Sequence, residues 1–233
     1  MSIACRYDYL LSSLTGLDTL GSASPVSKQG FLDRVVDARG PAETVEMVLL
    51  SDDLAQRESL LCGEIASDQT DFAVLAMGLG DNVTVPLPHY LRADDSAEST
   101  GNPRVTVDAL WARYFRHGLK VAIRCRSPFL KAWVGFEVGL RNALSMARAQ
   151  SLDLDATAYL VAPELGCEQT DFSSVLTAWS AAPDPLAAMD ALDKARWAWL
   201  EDKGQWYSFK ADEIEAYAAK LILLQRWRRL AND

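Results

Sequence analysis

Prolines at 41, 128 and 185 each head a stretch whose apolar residues return every three or four positions, and this spacing limits the fold more than any other feature of the chain. Proline suits the first turn of a helix, where its missing N–H has no partner to lose and its φ is already helical. Val45, Val48, Leu49, Leu54, Leu60 and Leu61 follow Pro41, and Trp133, Phe136, Leu140, Leu144 and Ala147 follow Pro128. Leu186, Met189, Leu192, Ala195, Trp199 and Leu200 follow Pro185. A helical period places each set on one face, which then needs a partner to cover it. Ser27 is a good N-cap for a helix with Phe31, Leu32, Val35 and Val36 on one side, ended by Gly40. Asp108 precedes Leu110, Trp111, Tyr114 and Phe115, and Asp153-Leu154-Asp155 precedes a short helix with Tyr159 and Leu160. Asp212 is placed to cap a last helix through Ile214, Tyr217, Ala218, Leu221 and Leu224, with Trp227 or Arg228 next on that face. The stretch after Pro41 is one helix, or two split at Ser51-Asp52-Asp53. Alternating runs are short, Val83-Thr84-Val85 and Arg104 to Val107 alone hinting at strands. The expected fold is all-α, a helical bundle of one or two lobes.

Pro86 to Pro103 interrupts this pattern, and its middle, Ala93 to Asn102, is polar and rich in helix breakers. The expected organisation is an N-terminal helical region at 1–92, a polar excursion or linker at 93–104 and a C-terminal helical region at 105–233, the two regions packing separately or as one domain. A chain of 233 residues is long enough to bury a substantial core either way. No internal repeat or low-complexity tract is visible.

Charge narrows the function. The net charge is −9, a poor start for general nucleic-acid binding, because phosphates must be neutralised by Lys and Arg. It is also uneven. Residues 1–116 hold 9 basic and 17 acidic groups, yet Trp111 to Arg148 carries eight basic residues against a single acid, Glu137. Two histidines, His89 and His117, are too few for a His-rich metal centre, and neither sits by a nucleophile elbow; both are expected at the surface or satisfied internally. Gly78-Leu79-Gly80 is followed by Asp-Asn instead of Lys-Ser, so it reads as a turn more readily than a phosphate cradle. Asp52-Asp53 and Asp94-Asp95 are expected as caps or solvated loop charges. No catalytic, cofactor-binding or metal-binding set assembles. Cys5, Cys62, Cys125 and Cys167 are widely spaced and are expected as buried thiols in a reducing cytoplasm, one reactive cysteine being the alternative. No stretch approaches the roughly 18 apolar residues of a membrane span, so a link to a membrane is expected through a partner.

The basic segment either neutralises the acidic first half or meets an acidic protein partner, with Arg113, Arg116, Lys120, Arg124 and Arg126 as contacts and Trp111, Tyr114 and Phe115 as aromatic anchors, RNA being the remaining alternative. Glu137 and Arg141, four apart with the acid first, are expected to pair on a helix beside Phe136, Leu140 and Leu144. Gly135 and Gly139 on the same helix would admit a close neighbour. Four of the seven tryptophans lie between 197 and 227. They are expected in a core between two helices joined near Gly204, or else on an exposed docking edge.

Three blocks carry a family resemblance. They are Tyr7-Asp8-Tyr9-Leu10-Leu11-Ser12-Ser13-Leu14 with Gly30-Phe31-Leu32; Phe136-Glu137-Val138-Gly139-Leu140-Arg141-Asn142-Ala143-Leu144 continuing through Ala147-Arg148-Ala149 to Asp155 and Tyr159-Leu160; and Leu192-Asp193-Lys194-Ala195-Arg196-Trp197 with Phe209 and Tyr217 to Trp227. In these the chain resembles an uncharacterised bacterial family associated with V/A-type rotary ATP synthases, found where the C-type (or d-type) subunit would be expected. Thr15 departs from the pattern, which has proline there, and the 93–102 excursion is peculiar to this chain. The resemblance implies a noncatalytic, cofactor-free, all-helical part resembling a reduced C-type subunit, linking the central shaft to the membrane ring. It implies the other ATPase subunits as partners, with no nucleic acid and no direct membrane insertion, and a cytoplasmic place peripheral to the inner membrane. Contacts are expected at Arg113, Arg116, Arg124 and Arg126, then at Arg226, Arg228 and Arg229, with the Glu137–Arg141 ion pair bracing the interior. The alternatives are a stand-alone adaptor or assembly factor for that complex and, further off, a cryptic nucleotide-binding protein or enzyme.

Overall fold

The structure, a computed structural model, describes residues 7–77, 85–92, 103–166 and 170–232, with side chains omitted at 103–106 and 230–232. Among the described residues it is all-helical and has no strand. The α-helices are α1 (Asp8–Ser13), α2 (Lys28–Asp37), α3 (Ala42–Leu61), α4 (Pro103–Cys125), α5 (Pro128–Ser151), α6 (Ser173–Ser180), α7 (Pro185–Lys203) and α8 (Ala211–Asn232). Single 3-10 turns lie at Ser67–Gln69, His89–Leu91, Ala156–Tyr159 and Pro163–Leu165.

Local chemistry explains most boundaries. The Ser27 hydroxyl accepts the Gly30 N–H at the start of α2, and the Ser127 hydroxyl accepts the Leu130 N–H at the start of α5, where Pro128 takes the first helical position. The stretch after Pro41 is a single helix. The Arg104–Val107 run opens α4, so the strand hint there is corrected: Pro103 starts the helix ahead of Asp108. Of the other strand hint, Val83 and Thr84 lie outside the described residues. Gly40 does not itself end α2. The helix stops at Asp37, Arg39 takes the left-handed turn at φ 53°, and Gly40 then passes so close that a Cβ there would sit 2.9 Å from Val35 Cγ1.

The chain forms two compact units, residues 1–86 with 196–233, and residues 87–195. The sequence places its boundary at 93–104. The units divide instead after Pro86 and after Ala195, so the C-terminal segment rejoins the N-terminal one. Of the excursion, 93–102 lies outside the described residues, and Pro103 and Arg104 open α4.

In the first unit α8 is the hub. Every residue from Glu213 to Gln225 is buried, so the helix has no solvent face and each polar side chain on it needs a partner. Glu213 accepts the backbone N–H groups of Tyr207 and Phe209. Glu215 accepts the Thr44 hydroxyl of α3, and the Tyr217 hydroxyl donates to Thr15 O at 2.9 Å while its ring stacks on Phe31 of α2. Burial pushes the Tyr217 phenol up to about 12. Lys220 pairs with Glu201 and lies 4.4 Å from the ring centres of both Trp197 and Trp206. Gln225 donates to Val26 O at 2.9 Å. One central helix thus ties down five separate segments. The turn after α7 is tight, and at Gly204 a Cβ would come within 2.5 Å of the Trp206 ring.

The second unit is built on α4 and α5, which form a hairpin across the short turn at Arg126-Ser127. Leu110, Trp111, Tyr114, Phe115, Val121 and Ala122 of α4 and Leu130, Trp133, Val134, Phe136, Leu140 and Leu144 of α5 are buried. The 3-10 turns at 156–159 and 163–165 and helix α6 pack on α5. Phe172 meets Phe136 with ring centres 5.6 Å apart.

Candidate functional site

In the 87–195 unit, the predicted contact arginines do different work. Arg113 is half-buried, and its Nε donates to Leu91 O at 3.0 Å, holding the 89–91 turn against α4. Arg116 is exposed and its Nε lies 2.8 Å from Glu164 Oε1. The hydrogen bond from Arg116 holds the Glu164 carboxyl below its usual range, although a pair this open to water is worth little in stability. Arg124 and Arg126 are exposed, as are Lys120 and Lys131. Arg126 occupies the left-handed position after α4, at φ 55°. The aromatic residues expected beside them as anchors, Trp111, Tyr114 and Phe115, point into the core instead, because the apolar stripe of α4 is the face that meets α5.

Glu137 and Arg141 are both half-buried one turn apart on α5, and the Arg141 guanidinium lies 4.6 Å above the Trp111 ring of α4. Asn142, on the same helix, has no spacing that singles it out. Its side-chain amide donates to Val161 O at 3.0 Å and accepts the Val161 N–H at 2.8 Å, clamping a buried loop backbone from both sides. Near Gly139 the close neighbour is a loop residue, since a Cβ added at Gly166 would lie 3.9 Å from the Gly139 Cα. The two histidines flank one ring. His117 stacks on Tyr90 at 3.9 Å between centres and His89 meets the Tyr90 edge at 5.3 Å. Burial, with the charges of Lys120 and His89, holds His117 below its usual value.

The densest charge constellation is one that sequence reasoning misses, and it lies in the other unit. Asp52 and Asp53 are fully buried in the middle of α3, which corrects their expectation as caps or solvated loop charges. Lys28, at the start of α2 and only 1% exposed, puts Nζ 2.6 Å from Asp52 Oδ2, 2.9 Å from Asp53 Oδ1 and 3.2 Å from Asp71 Oδ1. The second Asp53 oxygen accepts the N–H groups of Ala73, Val74 and Leu75. Gln56 donates to Asp52 Oδ2 and accepts the Asp71 N–H. Arg229 closes the set from α8, donating to Asp52 Oδ1 at 2.6 Å and to Asp71 Oδ1 at 3.1 Å. Burial alone would raise the Asp52 carboxyl, but the charges of Lys28, Arg229 and Arg226 more than offset this and hold it at about 2. Lys28 is likewise raised, the three aspartates outweighing its own desolvation. The cations fill the space between the carboxylates, and the site works as a brace. Of the C-terminal contact arginines, Arg229 is therefore engaged internally, Arg226 is half-buried within reach of Asp52, and Arg228 is exposed.

Among the described residues no cluster of His, Cys, Asp or Glu is arranged to hold a metal ion, and no helix is long and apolar enough to cross a membrane. Cys62 and Cys125 are exposed, which corrects their expectation as buried thiols; each stands at the end of its helix, where the apolar stripe runs out. Cys5, Cys167 and Gly78 to Gly80 lie outside the described residues.

A family model described as "Protein of unknown function (DUF2764)" matches residues 53–233, and the chain belongs to that family. No curated protein matches it. No solved structure matches it.

Proposed function

We propose that this DUF2764-family chain is a noncatalytic part of a bacterial V/A-type rotary ATPase, a C-type link between the central shaft and the membrane ring, held peripherally at the inner membrane through that complex. The observation that carries the reading is the construction around α8. A helix buried from Glu213 to Gln225, with its polar side chains tied to five segments, suits a part that must pass on force without deforming. Two of the three resembling blocks hold the residues that organise their units: Asn142 and the buried face of α5 in one, and Tyr217 to Gln225 of α8 in the other. The first supplies Phe31, stacked on Tyr217. Charge supports the same reading. Lys28, Asp52, Asp53 and Arg229 are committed to internal bracing, whereas Arg116, Arg124, Arg126 and Arg228 remain at the surface as candidate contacts.

Purification of the ATPase from the native host through a tag on one of its catalytic subunits tests the reading. Recovery of this chain in fixed proportion to the shaft subunits is the expected result. Its absence from preparations of both cytosol and solubilised membranes would overturn the proposal. Transient, substoichiometric recovery would replace it with an assembly factor.

A further inference from the structure

The end of the α4–α5 hairpin is basic and exposed. Between Asp108 and Glu137 the sequence holds six Lys and Arg residues and no carboxylate. Arg116, Lys120 and Arg124 follow one another at four-residue steps on α4, a stripe about 12 Å long at 1.5 Å per residue. Arg126 in the left-handed turn and Lys131 in the first turns of α5 carry the charge around the tip, and all five side chains are exposed. Ile123 stands among them with 64% of its surface in water. Glu164 reaches the Arg116 end of the stripe, away from the turn.

What this face lacks points to its partner. Every Phe, Tyr and Trp from 109 to 136 is buried. Exposed Arg can serve a protein interface, but interface hot spots also draw on Trp and Tyr entering pockets, and this stretch exposes neither; single-stranded nucleic acid needs aromatic platforms for its bases. A bilayer surface needs neither. Its phosphates are mobile, so spaced cations find partners without matched geometry, and an isolated aliphatic side chain can enter the boundary between headgroups and acyl chains.

We propose that the α4–α5 tip docks on the anionic headgroup surface of a phospholipid bilayer, with Lys120, Arg124, Arg126 and Lys131 over the phosphates and Ile123 between them. This docking rests on the ATPase reading only for which membrane the tip meets; the binding belongs to the isolated chain.

Co-sedimentation of the full chain with vesicles tests it, using phosphatidylcholine alone and phosphatidylcholine with about 30% phosphatidylglycerol. The expected result is binding to the second and not the first, lost as salt rises from about 0.05 M to about 0.5 M. The combined variant Lys120→Gln, Arg124→Gln, Arg126→Gln should bind about a hundredfold more weakly, at about fivefold per cation. Arg34→Gln, an exposed cation in the last turn of α2, should bind as the parent chain does. Unchanged far-ultraviolet circular dichroism shows that the variants fold. Equal binding to both vesicles, no binding to either, or full binding by the triple variant would overturn the proposal. So would tighter, equally variant-sensitive binding to a polyglutamate peptide or a DNA duplex, which would assign the tip to an acidic macromolecule. Failure here leaves co-purification with the ATPase intact, and failure of co-purification leaves the vesicle result standing.

Discussion

Lys28 Nζ lies 2.6 Å from Asp52 Oδ2 with both side chains shut away from water, 1% and 0% exposed. Ion pairs so buried stand or fall on completeness, because each partner has given up its hydration. Here the set is closed by Asp53, Asp71, Gln56 and Arg229, and it joins α2, α3, the 71–75 loop and α8.

Lys28→Met should therefore destabilise the chain by about 3–5 kcal/mol, since it leaves two buried carboxylates short of a cation. Urea unfolding followed by far-ultraviolet circular dichroism measures it. Loss below about 1 kcal/mol would mean that Arg229 and the backbone N–H groups suffice.

The same cluster sets a pH window. Asp52 has its carboxyl lowered from 3.8 to about 2, so its contribution, on the order of 2 kcal/mol, is complete above the unfolded value and disappears as pH falls through the folded one. Lys28 is raised above 10.5, so its contribution is complete below that value and is lost as pH climbs past it. Unfolding midpoints should hold steady between these limits and fall at both ends. Asp52→Asn should flatten the acid limb between about pH 4 and pH 2 while lowering stability at neutral pH.

Arg229→Ala should cost about 1–3 kcal/mol, because its guanidinium serves Asp52 and Asp71 together. Arg228→Ala, one residue earlier and exposed, should stay within about 0.5 kcal/mol of the parent. Equal effects would show that the C-terminal turn of α8 is not pinned by this contact.

Asn142→Leu should strand the Val161 N–H and C=O inside the 87–195 unit, at about 1–3 kcal/mol for each group left without a partner. Faster amide exchange at Val161, with α8 amides unchanged, is the expected signature.

Lys220→Met should change the intrinsic fluorescence, because the ammonium lies 4.4 Å from both the Trp197 and Trp206 rings. A shift in emission that Trp206→Phe diminishes locates the effect; an unaltered spectrum would separate the cation from the indoles.

The helices are legible in the sequence because their punctuation is local. Ser27, Pro128, Pro185 and the 3.6-residue apolar period act within a turn or two, and the structure uses these signals as expected, whereas Pro41 sits one position earlier, at the N-cap of α3. What escapes is long-range. Asp52 and Asp53 look like polar surface on a helix until Lys28 and Arg229 arrive, with Lys28 24 residues from Asp52 and Arg229 177 residues from it. The union of the N-terminal and C-terminal segments in one unit escapes for the same reason. Nine of the thirteen residues from Glu213 to Gln225 are apolar and fall on every side of the helix, a mark of full burial that the Ile214, Tyr217, Leu221 and Leu224 stripe taken alone conceals. Arg113 illustrates the limit at the candidate surface: its spacing matches Arg116 and Lys120, yet its guanidinium turns inward to Leu91 O.

Placing the 87–195 unit between two parts of the other has a consequence for synthesis. A ribosome finishes residues 87–195 before it has made α8, so that unit can pack while the nascent chain is still growing. Residues 1–86 must wait until α8 emerges, because α3 packs against it. Premature termination ahead of the buried stretch of α8 would thus deprive residues 1–86 of part of their core, although every codon for them had been read correctly.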